Sequence, residues 1–267
     1  MKCLVINLDR SPDRLAHIAA EFARIGITFE RVAAIDARSH PELEQQPQHP
    51  LYGPRRLLGS EIACLHSHRA CWSILAQDEA RYGAIFEDDV VFSADAGALL
   101  SDSGWIPADA DVVKLETYFK RTLIHRRGIS AGHGFSAFRL YKNHPGTGGY
   151  IISREAARDL LEATETINVT ADDLIFTPAF PTSSSKTIYQ LVPALCAQDQ
   201  FFGDRLPSLL AEERHAVLGT TEPSAKSRKP AGERIMKEAG RTMRWVFDFC
   251  RFRRHIIVPF DPIGAND

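Results

Sequence analysis

The chain has 267 residues, 44% of them hydrophobic and 25% charged, with a formal net charge of −2. That size suits one large α/β domain with an appendage, and the near-neutral balance excludes wholesale electrostatic binding to nucleic acid. It contains no run of 18 apolar residues, which excludes a spanning helix, and its five cysteines are scattered without a C-x-x-C pair. Reduced thiols and a start that runs straight into a strand, with no signal-peptide leader, predict a cytoplasmic protein.

Residues 3–8 read as a buried strand that ends at Asp9-Arg10. Ser11-Pro12 then starts a helix whose Leu15, Ile18, Ala19, Phe22 and Ile25 share one face, before a capping Gly26. Residues 28–35 form a second strand closing at Asp36, which completes a βαβ unit. Asp9, Arg10 and Asp36 thus gather at the sheet edge where open α/β sheets take ligands, although turn and cap duties also explain such charges. Residues 37–59, rich in Pro, Gln and His, read as a long surface loop. A strong helical pattern from Ser60 to about residue 77 turns Ile62, Leu65, Trp72 and Leu75 inward. It also carries His66 and His68, and two positions on a helix differ by about 200°, so at most one of them faces a common site.

Residues 84–86 form a short buried strand that delivers Glu87, Asp88 and Asp89 at its C-terminal end. Strand alternation sends Glu87 and Asp89 to one side and Asp88 to the other. Two carboxylates aimed at one point repel each other unless a cation lies between them. Hard ions such as Mg²⁺ and Mn²⁺ take one or two carboxylates and complete their shell with water and phosphate oxygens. An acidic turn closing a strand is the simpler alternative. Residues 111–116 read as another strand, and 118–144 as basic loops or a hairpin. Gly146-Thr147-Gly148-Gly149 leads into a strand from Tyr150, and Ser153 caps a further helix. Those glycines precede a strand, so they form neither a dinucleotide fingerprint nor a P-loop. Thr170 followed by Asp173 is a capping pattern that leaves Asp172 without a structural duty. A strand-like run over 187–196 leads to Gln198-Asp199. Between 226 and 255, ten basic residues face three acidic ones. The helical spacing over 235–250 suits either an anionic membrane surface or docking on the protein's own domain. The expected division is a domain over 1–220 and a basic C-terminal segment over 221–267.

Five stretches taken together carry a resemblance: 5–14, 59–68, 84–89, 146–153 and the pair Asp172-Asp173. In order and rough spacing they are similar to glycosyltransferase family 25, the bacterial lipooligosaccharide galactosyltransferase-like enzymes, over about residues 3–200. One departure stands at Gly59-Ser60-Glu61-Ile62-Ala63-Cys64, where the family usually has Gly-Glu-Ile-Gly-Cys; Ser67-His68 still matches. The resemblance implies an α/β, GT-A type nucleotide-diphospho-sugar transferase fold, a Rossmann-like mixed sheet with flanking helices. It implies inverting transfer of a hexose, galactose or glucose, from a UDP-sugar donor to a lipooligosaccharide, lipopolysaccharide or other surface-glycan acceptor. Glu87 and Asp89 would hold Mn²⁺ or Mg²⁺. Asp172 would be the catalytic base, with Asp173 second and Asp199 next. Asn7, Asp9, Arg10, Asp36, Ser67, His68, Asp88, Gly148, Gly149 and Tyr150 would surround the donor. The work would be done in the cytoplasm, peripherally on the inner face of the membrane. Two alternatives are a degenerate glycan-binding protein, expected to lose Glu87 or Asp89, and a metal-dependent phosphohydrolase, expected to show a second His/Asp cluster that the sequence lacks.

Overall fold

The computed structural model describes residues 1–45, 57–165, 169–202, 206, 208–210, 213–214 and 247–261. The chain opens with β1 (Lys2–Asn7), α1 (Pro12–Arg24) and β2 (Glu30–Ala33), the expected βαβ unit with β1 and β2 parallel. Then come α2 (Gly59–Ala76), β3 (Tyr82–Glu87), β4 (Val90–Phe92), α3 (Ala96–Ser101), β5 (Val112–Lys114) and β6 (Glu116–Thr117). The basic region holds β7 (Arg121–His125), β8 (Ile129–Gly132) and β9 (Phe135–Arg139), with β8 and β9 paired as a hairpin. β10 (Gly149–Ser153), α4 (Arg154–Ala163), α5 (Ala171–Phe176), α6 (Pro181–Ser184), β11 (Ile188–Val192), β12 (Cys196–Gln198) and β13 (Arg253–Ile257) follow.

Among the described residues one eight-stranded sheet runs β2-β1-β3-β10-β5-β11-β9-β8. β2, β1 and β3 are parallel, β10 enters antiparallel between β3 and β5, and β11 is parallel to β5. This is the Rossmann-like mixed sheet of a GT-A type fold. Its central strands are mostly apolar because both faces are covered, with Lys114 of β5 and Gln190 of β11 as buried polar exceptions. Cys3 and Val5 of β1 join the core beneath α1, while Leu4 and Ile6 join the core beneath α2, α4 and α5.

Packing on the first face fixes what α1 presents to the ligand edge. Phe22 meets Phe86 of β3 and Phe92 of β4 edge-on, with ring centroids 5.6 and 5.1 Å away. Fully burying such a ring contributes about 1.5–3 kcal/mol, and the edge-on geometry adds to it. Arg14, Ile18 and Phe22 are spaced i, i+4, i+8 and are all buried, so the anchored phenylalanine drives an arginine under the acidic end of β3.

A three-stranded sheet, β4-β12-β6, flanks the main one, and β13 pairs antiparallel with β7. Thr117 Oγ1 donates to the Val258 carbonyl at 2.9 Å, and Ala194 N donates to the Pro259 carbonyl at 2.8 Å. Residues 253–259 are therefore knitted into the same body as β6 and β7. Most of the 235–250 stretch expected to be helical lies outside the described residues; Phe247–Cys250 are helical. Among the described residues no helix is long and apolar enough to cross a membrane.

Candidate active site

At the ligand edge of β3 the strand ends at Glu87, and Asp88-Asp89 form a turn. That turn overrides the alternation expected for three extended residues. Asp88 and Asp89 do not diverge; both meet Arg14. Asp88 Oδ1 accepts from Arg14 Nε at 2.7 Å, its Oδ2 accepts from Asn7 Nδ2 at 2.7 Å, and Asp89 Oδ2 lies 3.0 Å from Arg14 Nη2. Asp89 is also anchored through its backbone, whose carbonyl accepts from Asp199 N at 2.7 Å. The helix carrying Arg14 announced this contact in one respect: a charged side chain sits on its apolar stripe.

Glu87 has a different set of partners. Its Oε1 accepts from Thr147 Oγ1 at 2.6 Å and lies 3.5 Å from His68 Nε2, and its Oε2 is 3.5 Å from Gln198 Nε2. His68 is fully buried, and its proton can be placed by counting donors. Trp72 Nε1, which can only donate, gives its hydrogen to Tyr150 Oη at 2.8 Å; Tyr150 Oη then donates to His68 Nδ1 at 2.9 Å. When the ring carries a single proton, that proton therefore sits on Nε2, facing Glu87. Burial pushes the Glu87 carboxyl up, but the hydrogen bonds and charge of His68 and Thr147 outweigh it, leaving it below its ordinary value. Asp89 goes the opposite way, pushed up to about 7 by burial and then by the charge of Glu87, against the pull of Arg14.

Two compartments meet at Glu87. The first, about 140 Å³, is bounded by Asn7, Arg10, Asp36, Ser67, Asp88 and Asp89. The second, about 250 Å³, is bounded by Tyr118, Lys120, Gly146, Thr147, Asp172 and Gln198. Glu87 and Cys64 line both. In the first, Arg10 Nε donates to Asp36 Oδ2 at 2.6 Å, and Ser67 Oγ bridges Ala63 O and Ile35 N. In the second, Asp172 Oδ1 accepts from Asp173 N at 2.9 Å, and its Oδ2 lies 3.4 Å from Gly146 N. Asp173 accepts from the hydroxyls of Thr170 (3.1 Å) and Thr177 (2.8 Å), so it serves the ends of α5.

Several expected donor contacts lie elsewhere. Asp9 is mostly exposed, pairs with Arg31 and lines neither compartment. Tyr150 is fully buried behind His68, where it sets the histidine's proton and cannot touch a ligand. Gly148 gives its amide to Glu116 Oε2 at 3.0 Å, and a Cβ there would come within 2.9 Å of that carboxylate. Gly149 lies against Cys196 and Phe86. Gly148 allows a close approach by Glu116 and Gly149 one by Cys196 and Phe86, so neither space is taken by a ligand. Asp199 is buried and accepts from Leu206 N at 3.1 Å, outside both compartments.

Glu116 and Lys114 were legible only as strand residues. Both are fully buried; Lys114 Nζ lies 3.2 Å from Glu116 Oε2, contacts the Gly146 carbonyl and sits 4.3 Å from the Phe176 ring centroid. The pair props the turn from which Thr147 reaches Glu87. A charged residue in an otherwise apolar central strand was the available signal.

For a divalent ion the residues fit. Asp89 Oδ1 is buried with no hydrogen-bond partner, and its neighbour Glu87 adds a second carboxylate, the donor chemistry hard cations take. Cys64, His68 and Glu87 also place one ligand atom each within 4.8 Å of one another. Burial pushes the Cys64 thiol above its usual range, and a thiol and an imidazole are softer donors than carboxylates, so this trio suits a hard cation less well than Glu87 with Asp89.

The family described as Glycosyltransferase family 25 (LPS biosynthesis protein) matches residues 1–175. The chain belongs to it. The lacto-N-neotetraose biosynthesis glycosyltransferase LgtB of Neisseria gonorrhoeae is 35% identical over 213 residues, 73% of each chain. The lipooligosaccharide biosynthesis protein lic2B of Haemophilus influenzae is 27% identical over 96% of this chain and 98% of its own. Among solved structures, a glycosyltransferase involved in glycosylation of the PBCV-1 major capsid overlays with a TM-score of 0.41 at 10% identity, covering 81% of this chain and 98% of that one. The family 25 stretch contains β1 to α4 and the Glu87-Asp88-Asp89 turn, with Asp172 near its end.

Proposed function

We propose that this family 25 member is an inverting hexosyltransferase that moves galactose or glucose from a UDP-sugar to a surface-glycan acceptor of the lipooligosaccharide kind. The observation that carries the reading is the position of Glu87, on the wall common to two compartments of different chemistry. The first takes the donor: Arg10 and Asp36 bound the nucleoside, and Asp88, locked by Asn7 and Arg14, stiffens the floor under the diphosphate. The second takes the acceptor. Glu87 and Asp89 would hold Mn²⁺ or Mg²⁺, which when bound supplies Lewis-acid neutralisation of the departing diphosphate. Asp172 accepts the proton of the acceptor hydroxyl on a carboxylate oxygen as that hydroxyl attacks the anomeric carbon. The bond from that carbon to the diphosphate oxygen breaks on the opposite face, and configuration inverts. His68 and Thr147 hold Glu87 ionised and in place.

The glycan class follows the names of the Neisseria and Haemophilus relatives. Work on the inner membrane face is supported by the basic 226–255 stretch. There, exposed Phe247, Phe249 and Phe252 carry the guanidinium groups of Arg251, Arg126 and Arg127 on their rings.

The test is incubation of the full chain with a panel of nucleotide sugars and Mn²⁺, without acceptor. Slow release of UDP from UDP-galactose or UDP-glucose is expected; phosphate release from a phosphomonoester, or no release from any sugar, overturns the reading. In parallel, UDP and Mn²⁺ together at 100 times the dissociation constant should stabilise the fold by about 2.7 kcal/mol, and Asp89→Asn should lose that gain.

A further inference from the structure

Phe201 and Phe202 lie at the end of the short 3-10 turn Asp199–Phe201 that follows β12, and are 37% and 44% exposed. A single exposed ring needs no explanation, but these two belong to a cluster of five drawn from three separate segments. Phe201 stands edge-on to Tyr118 and Phe119, with centroids 5.0 and 5.2 Å away; Phe202 lies 5.9 Å from Phe119 and 5.3 Å from Phe260. The topology explains how they meet. β6 and β12 pair in parallel, with Glu116 opposite Cys196 and Thr117 opposite Ala197, so the residues after each strand emerge side by side.

Two observations set this cluster apart from ordinary packing. Phe119 has a φ of +49°, a left-handed conformation that an aromatic residue adopts only when its surroundings impose it. The Thr117 hydroxyl accepts the Phe119 amide at 3.2 Å and holds it there. Moreover, the cluster is continuous with the second compartment: Tyr118 and Lys120 line that cavity, and Gln198, just before the turn that carries Phe201, lies 3.5 Å from Glu87. Lys120 Nζ lies over the Tyr118 ring at 4.9 Å, and Gln200 bonds Gln198.

Rings bordered by one amine and two amides match a pyranose, which offers a flat C–H face and a rim of hydroxyls. We propose that Phe201 and Phe202, backed by Tyr118 and Phe119, form a saccharide platform that binds the acceptor glycan through the C–H face of a hexose. Lys120 and Gln200 take its hydroxyls. The inference rests on the acceptor reading of the second compartment and adds to it a place where acceptor length and identity are sensed.

The test uses the full chain with methyl β-galactoside, methyl β-glucoside and lactose at millimolar concentration, read by saturation-transfer NMR. Wild type should transfer saturation to protons on one face of a hexose. The double variant Phe201→Ala/Phe202→Ala should weaken binding at least tenfold, and Phe201→Trp should retain it. Acceptor-free UDP release should change less than twofold in all of them. Because both side chains are more than a third exposed, the variants should melt as wild type; a variant that does not is replaced by Phe202→Ser alone. No saccharide signal in wild type, or binding that ignores the substitutions, overturns the platform. So does loss of co-sedimentation with anionic vesicles, in place of saccharide binding, in the same variants. Ring-dependent saccharide binding with no UDP release from any sugar leaves the platform standing and removes the transferase reading. UDP release with ring-independent binding does the reverse.

Discussion

The acidic turn after β3 and the acidic turn that opens α5 supply carboxylates to one cleft, yet they are held in opposite ways. Asp88 has both oxygens bonded, to Arg14 and Asn7, and Asp89 has one oxygen on Arg14 and the other buried without a partner. Among the described residues Asp172 is tied to backbone amides alone, one of them at 3.4 Å, on a six-residue helix beside the wider compartment. The first turn is a charge cluster fixed by side-chain hydrogen bonds and packing from beneath; the second is a single carboxylate held by backbone amides. A donor diphosphate calls for the former and a variable acceptor hydroxyl for the latter. The sharpest division of labour should therefore appear when each turn is disabled in turn.

The largest effect is expected at the second turn. Asp172→Asn keeps the shape and the contact with Asp173 N but cannot take a proton. Turnover should fall about 10²–10⁴-fold, the usual contribution of a general base, while stabilisation by UDP and Mn²⁺ is unchanged. Normal turnover would remove Asp172 as the base. Asp173 and Asp199 are poor substitutes because their oxygens are engaged by Thr170, Thr177 and Leu206 N.

At the first turn the expected effect is on stability before activity. Arg14→Met removes a guanidinium that reaches both Asp88 and Asp89. Leaving buried charge uncompensated costs about 3–5 kcal/mol, whereas breaking the half-exposed Arg10–Asp36 pair with Arg10→Met should cost about 1 kcal/mol or less. Urea denaturation of the two variants checks the contrast. Equal losses would mean that the cluster under β3 is not specially built.

Much of this arrangement was legible because it is local. The βαβ unit, the helix carrying His68, the acidic end of β3 and the Thr170 turn each follow from periodicity and capping within a short window. What was not legible depends on contacts between distant residues. Arg14 and Asp88 are 74 positions apart, Tyr150 and His68 are 82 apart, and β13 reaches β7 from the far end of the chain. Thus Tyr150 read as a ligand contact, although burial had made it the residue that fixes a histidine proton. The same holds for Gly148 and Gly149, whose tight neighbours are Glu116 for the one and Cys196 and Phe86 for the other, each more than 30 positions away in the sequence. A sequence window displays that a glycine is needed but not what approaches it.

The smallest expected effect separates these two kinds of buried acid. Glu116 lies below the turn, fully buried, and is pushed up to about 7 by burial, with Lys114 opposing and the charge of Glu87 adding. The groups that face it are Lys114, Glu87 and the Gly148 amide. Its folded value exceeds the ordinary 4.5, so between pH 4.5 and 7 the native state holds a proton that the unfolded chain releases. Its contribution is therefore complete below pH 4.5 and is lost as pH rises toward 7, at up to roughly 1.4 kcal/mol per pH unit. Glu116→Gln keeps the size of the side chain but cannot titrate, so its melting temperature should fall less steeply than that of wild type from pH 5 to 7, whatever its absolute stability. Adding Mn²⁺ should reduce this difference in slope without abolishing it, because an ion on Glu87 offsets the charge that adds to the shift while burial, the larger cause, remains. If Mn²⁺ abolished the difference, Glu116 would have to be moved from beneath the site into it.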